Sequence, residues 1–216
     1  MSIIQEIREK ISQEIFNHTQ VLDILRDYSK PRDVISNLLR RGDIIRIRKG
    51  LYVFGKFWRR YQFNKELLAN LIYGPSIISL DYVLSISGLI PESVSTLTSI
   101  TTGRSRIFET PVGRYSYKQL NKERFSYGSE LHKTDTGSYF AANPLKALAD
   151  KIWLDKRFKP ISPSSYAEYL FDDLRIDEKI LEEYLNAVKL DELEKVYSSR
   201  KISWFIAFLK KEFRIV

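Results

Sequence analysis

The chain has no cysteine among its 216 residues. That excludes disulfides, thiolate zinc sites and a cysteine nucleophile. Histidine is nearly absent too: His18 and His132 lie far apart, with no paired histidine, and each reads as a structural or surface residue. There is no phosphate-loop pattern, no GxGxxG and no GxSxG, so the common nucleotide and serine-hydrolase motifs are missing. A magnesium nuclease groups acids and a lysine at strand ends. The nearest approaches are Glu130 to Lys133, with the wrong spacing, and Asp177 to Lys179, in helix-like sequence. The expectation is a non-enzyme with no catalytic residue, no metal and no cofactor. No long charge-free apolar run could cross a bilayer, and MSIIQEIREKISQEI lacks the apolar core of a secretion signal. A cytoplasmic protein without membrane contact is therefore expected. No repeat or low-complexity segment is visible.

What is present is a packed-core composition, 44% hydrophobic with 13% aromatic, and an uneven charge distribution. Ser29 to Arg60 holds ten Lys or Arg against Asp33 and Asp43, a balance of +8 that equals the formal charge of the whole chain. Charge concentrated in one segment points to a polyanionic partner more strongly than a basic total does.

The same segment has a local structure. Ile3, Ile4, Ile7, Ile11 and Ile15 fall at helical spacing and predict a helix over residues 2–15. Thr19 suits the N-cap of a second helix with Val21, Leu22 and Leu25 inward. A turn at residues 27–29 precedes a third helix, with Pro31 in its first turn, Val34, Ile35, Leu38 and Leu39 inward, and Gly42 at its end. Two strands, 44–48 and 51–54, flank Lys49-Gly50, which suits a type I′ hairpin turn. Helix, turn, helix and basic hairpin predict a winged helix-turn-helix over residues 1–58.

In that arrangement the third helix enters the major groove. Arg32, Asp33, Ser36, Asn37 and Arg40 would face outward; Arg suits guanine and Asn suits adenine through bidentate hydrogen bonds. Ser29, Lys30 and the helix N-terminus suit a phosphate. Arg41 adds charge at the helix end, and Arg46, Arg48 and Lys49 form the wing. The competing reading is a solvated basic face on a protein-docking module.

Residues 59–216 read as a mixed α/β domain. A helix at 63–73, a short helix at 82–87 ending at Gly88, strands at 76–80, 97–101, 106–110 and 115–120, and two strand runs inside 129–141 precede an Asn143-capped helix, NPLKALADKIWLDKRF, and a helical end. Thr136-Gly137 suits the last strand turn. Inside the Asn143 helix, Ala147, Leu148, Ile152 and Trp153 make a buried stripe. Arg104, Arg106 and Arg114, near Thr101, Thr102 and Ser105, form a second basic group that suits a phosphate, a second DNA segment, an acidic protein, or plain solvent. Glu168 to Glu194 carries ten acids against Arg175, Lys179 and Lys189, a solvated face or a surface for a basic partner.

The blocks RRGDIIRIRKGLYVF, SIISLDYVLSISGLIPE, TSITTGRSRIFETPVGRYSY and NPLKALADKIW, in this order, resemble the AbiEi family, antitoxins of type IV toxin–antitoxin (abortive infection) systems. The resemblance covers most of residues 19–156. It implies a repressor that binds its own double-stranded promoter DNA through the winged helix. It also implies that the C-terminal domain counters a nucleotidyltransferase-like toxin without needing a direct complex. Arg104, Arg106 and Arg114 are the residues expected to serve that antitoxin role. The fold expected is α+β. The alternatives are a stand-alone winged-helix transcription factor with a ligand-sensing or dimerising second domain, and a DNA-targeted nuclease.

Overall fold

A computed structural model describes residues 2–215. Helix α1 (Ile3–Lys10) begins at Ser2, which forms a capping box with Gln5. The helix expected to reach residue 15 stops at Lys10, and Ile11 is already extended. Arg8 is the reason. Its guanidinium donates to the carbonyls of Ser12 and Gln13 and pairs with the buried Glu14 at 2.9 Å. These bonds tie residues 12–14 back onto α1 and hold the bend by which the chain leaves the helix. Ile15 opens strand β1 (Ile15–Asn17) instead. Asn17, not Thr19, caps α2 (His18–Ile24), in a second capping box with Gln20.

Helix α3 (Pro31–Arg41) starts on proline, whose missing N–H is no loss there. It ends at Gly42 with φ 74°, the left-handed conformation that glycine adopts freely. Strands β2 (Ile44–Arg48) and β3 (Leu51–Phe54) follow, and the antiparallel sheet has the order β1-β3-β2. The hairpin turn differs from expectation. A type I′ turn needs positive φ at both loop residues, but only Gly50 has it (84°), and the register shifts between Arg46 and Arg48. Ile47 is left without a ladder partner and is buried.

That bulge matters because the hairpin has a core on each side. Ile44, Tyr52 and Phe54 pack with α1, α2 and α3. Ile47, Leu51 and Val53 join the larger core that runs through residues 63–209. Every residue of β3 is buried, so LYVF reads as a continuous apolar run, the pattern of a strand covered on both faces. Gly55 follows in close contact: a Cβ there would stand 1.9 Å from the Gly42 carbonyl oxygen.

The rest is built on one mixed sheet of order β6-β7-β5-β4-β9-β8, so the molecule is α+β. Its strands are β4 (Ser76–Ile78), β5 (Leu97–Thr101), β6 (Arg106–Thr110), β7 (Gly113–Gln119), β8 (Ser129–Thr134) and β9 (Gly137–Ala142). Asp135 and Thr136 form the last turn, one residue earlier than expected. Helix α4 (Lys65–Ile72) precedes the sheet, while α5 (Asp81–Ile86) and the short, unforeseen α6 (Lys122–Ser126) interrupt it. Helix α7 (Pro144–Leu154) ends four residues before the expected Phe158. There the Asp155 carboxylate accepts the N–H groups of Arg157 and Phe158, a local turn that competes with another helical turn. A short α8 (Ser165–Ala167) runs into a π-helical turn, Glu168–Asp173, and α9 (Glu178–Tyr184), α10 (Ala187–Tyr197) and α11 (Arg200–Glu212) complete the chain's described part. No helix among the described residues is long and apolar enough to cross a membrane.

Candidate nucleic-acid interface

Helix α3 divides cleanly. Ile35 and Leu38 are buried, Val34 and Leu39 partly so, and Arg32, Asp33, Ser36, Asn37, Arg40 and Arg41 are exposed. Of the ten cations between residues 29 and 60, only Arg59 is partly buried; Lys30, Arg46, Arg48, Lys49, Lys56 and Arg60 are exposed with the rest. Antiparallel pairing with β3 holds the β2 cations in fixed positions beside α3. Arg60 is pinned by a bond to the Arg8 carbonyl, and its own N–H donates to Glu14.

The α3 side chains are not equally free. Arg40 donates to the Asn37 side-chain oxygen at 2.7 Å, so Asn37 meets an adenine only by exchanging that partner. The Ser36 hydroxyl donates to the Arg32 carbonyl one turn back, which spends its donor inside the helix. Arg41 lies 3.2 Å from Asp43, and Asp43 also accepts from the Trp58 indole N–H. Lys30 occupies the α3 N-cap without a side-chain cap, and Ser29 is exposed beside it. Asp33 and Val34 N–H both donate to the Lys30 carbonyl and Pro31 has no N–H, so Arg32 N–H is the first-turn donor left for an anion.

The second basic group is not one cluster. Arg106 lies opposite Tyr117 in the β6–β7 ladder, whereas Arg114 lies opposite Glu109 near the turn and pairs with it at 2.9 Å. Arg104 and Arg106 are neighbours at one end of the hairpin, and Arg114 stands at the other. Thr101 is buried, donating to the Pro75 carbonyl and accepting from Gly103 N–H, so it is a structural residue. Arg106 stacks over Tyr73 at 5.5 Å, and Tyr73 meets Tyr117 edge-on at 5.3 Å. Burial pushes the Tyr117 hydroxyl well above the usual phenol range, and the Arg48 guanidinium acts against that rise.

Sequence reasoning missed a buried polar network. Lys146 and Asp150 of α7 are 1% and 0% exposed. Lys146 Nζ and the Tyr197 hydroxyl both bond Asp150 Oδ1, and the Ser79 hydroxyl donates to its Oδ2 at 2.7 Å. Burial pushes the Lys146 ammonium down and the Tyr197 phenol up. The i,i+4 spacing of Lys146 and Asp150 was the available signal. The apolar stripe of ALADKIW pointed to packing and hid it.

The acids of residues 168–194 are exposed, apart from the half-buried Glu194. His18 bonds the Tyr52 hydroxyl and His132 stacks on Tyr139. No group of three potential metal ligands occurs among the described residues. A scan against protein-family models finds no match to this chain, and a search of curated proteins finds none either.

Proposed function

We propose that residues 1–58 act as a winged helix-turn-helix, and that the chain is a sequence-specific repressor of its own promoter. The observation that carries this is the exposed basic face shared by α3 and the β2–β3 hairpin. The order α1-β1-α2-α3-β2-β3 and the sheet order β1-β3-β2 support the reading. Arg32, Asn37 and Arg40 read base edges in the major groove. Lys30, Arg46, Arg48 and Lys49 hold phosphates and set the register. Ser36 contributes little, because its hydroxyl is spent on α3.

The test is affinity for promoter DNA against salt. Neutralising about five to seven phosphates gives a slope of log K on log salt near −5 to −6. A slope near zero removes the DNA-binding reading.

The resemblance to AbiEi antitoxins extends the proposal: the second domain counters a nucleotidyltransferase-like toxin encoded beside this gene. Arg104 and Arg106 are the residues we assign to it; Arg114, paired with Glu109 at the far end of the hairpin, drops out. Arg32→Ala/Arg48→Ala in the full chain should lose repression while co-expression still rescues growth. Charge reversal at Arg104 and Arg106 should abolish rescue. Promoter binding by the reversal variant is measured alongside, so that lost rescue is told apart from lost repression. Rescue that tracks repression in every variant makes repression the sole source of protection.

A further inference from the structure

A cleft of about 690 Å³ opens between the end of β7, the start of α5 and the end of α7. Four cations line it: Lys118, Lys151, Lys156 and Arg157. Two acids do, Asp81 and Asp155. Both acids are already occupied. Asp81 pairs with Lys151 at 2.6 Å. Asp155 accepts from Arg157 N–H at 2.9 Å and from the Tyr169 hydroxyl at 3.2 Å. Partial burial would raise the Asp155 carboxyl, but these donors hold it below the usual range. Arg157 Nε lies 3.5 Å from Asp155 with its side chain 93% exposed, so its remaining donors are free. Lys118 and Lys156 are exposed and have no carboxylate partner among the described residues.

The wall of the cleft is also built in a costly way. Leu80 is buried with φ 63° and ψ −146°, a region that residues with a Cβ rarely enter. Its neighbours hold it there. Ser79 N–H donates to the Thr98 carbonyl, Thr98 Oγ1 donates back to the Ser79 carbonyl and accepts from Tyr82 N–H, and Ser79 is tied to the buried Asp150. This corner directs Asp81 onto Lys151 at the mouth of the cleft. At the end of α7, Lys201 Nζ donates to the Asp155 carbonyl at 2.6 Å.

We propose that this cleft is a binding site for the oligophosphate group of a small molecule, held by Lys118, Lys156 and Arg157, with Lys151 released from Asp81 as a fourth contact. Cations converging on a concave site with unspent donors match the charge and acceptor density of a diphosphate. The lining contains no aromatic ring, so recognition falls on the phosphates and not on a base. The site is separate from the α3 face and does not rest on the DNA-binding reading.

The experiment is calorimetric titration of the full chain with pyrophosphate, with tripolyphosphate and with ATP, without divalent metal and at fixed ionic strength. Saturable one-site binding of pyrophosphate is expected. Equal affinity for tripolyphosphate and ATP assigns free and nucleotide-borne phosphates alike, and ATP binding tighter than tripolyphosphate assigns a nucleotide as the natural source. Each of Lys118→Gln and Lys156→Gln should weaken pyrophosphate binding about tenfold without moving the melting temperature, since both side chains are exposed. Asp81→Asn should tighten it several-fold by freeing Lys151. The absence of saturable heat, or unchanged affinity in the lysine variants, overturns the assignment. So does loss of promoter affinity in those variants without any pyrophosphate binding, which would give the lysines to the DNA backbone.

Discussion

Helices α3 and α7 are built alike and used oppositely. Each has 11 residues and each starts on proline. On α3 the charged residues point outward and the N-terminus has no side-chain cap. On α7, Asn143 caps the N-terminus, and Lys146 and Asp150 point inward among Ser79 and Tyr197. Outward charge is cheap to keep and available to a ligand. Inward charge costs desolvation and survives only where each donor and acceptor is met. One helix is therefore open to partners, and the other is committed to the fold.

The contrast breaks most visibly at α7. Asp150→Ala leaves a buried ammonium without its carboxylate and should cost about 3–5 kcal/mol in urea unfolding. Replacing both partners, Lys146→Met with Asp150→Leu, should cost far less, because no charge remains to be matched. A single variant as stable as the parent would mean water reaches Lys146.

Alkaline pH should produce the next largest effect. Burial pushes the Tyr115 phenol from about 10 to about 12, so the folded state favours the neutral form. That contribution is complete below pH 10 and is lost as pH rises through about 12. It amounts to about 2–3 kcal/mol for Tyr115 alone. Between about pH 10 and about 12 urea unfolding should lose less stability in Tyr115→Phe than in the parent; equal losses in the two would show the Tyr115 hydroxyl accessible in the native state.

On α3 the effects should appear in binding and not in folding. Arg32→Ala or Asn37→Ala should cost about 1–3 kcal/mol at one base-pair position in promoter titrations, with stability unchanged within about 0.5 kcal/mol. Equal losses on every sequence would move these residues from base to backbone contacts. Ser36→Ala should be smallest, within about 0.5 kcal/mol by either measure.

Local signals made much of this legible. Pro31, Gly42 and the inward stripe of Ile35 and Leu38 place α3; Asn143 and Pro144 place the start of α7; strand-like runs separated by turn residues place most of the large sheet. What failed was non-local. Ile11 and Ile15 continue a helical period only because the core takes one from the end of a helix and packs the other on a strand. Nothing near Ile15 in sequence announces its pairing with Val53. Arg104, Arg106 and Arg114 look like a group because they are close in sequence, yet a hairpin carries Arg114 to its turn and leaves Arg106 at its base. Lys146 and Asp150 were hidden because charged residues beside an apolar stripe ordinarily face water.

The shared hairpin also sets an order of events during synthesis. Residues 1–54 leave the ribosome first, with the first core complete and Ile47, Leu51 and Val53 still facing solvent. Their cover comes from the larger core, whose other buried members lie between Phe63 and Leu209. That core also needs strands β4 and β9, about sixty residues apart, to find each other, a slow non-local pairing. A nascent chain of this protein carries an uncovered apolar sheet face until the larger core forms over it, and that interval is when a chaperone has something to hold.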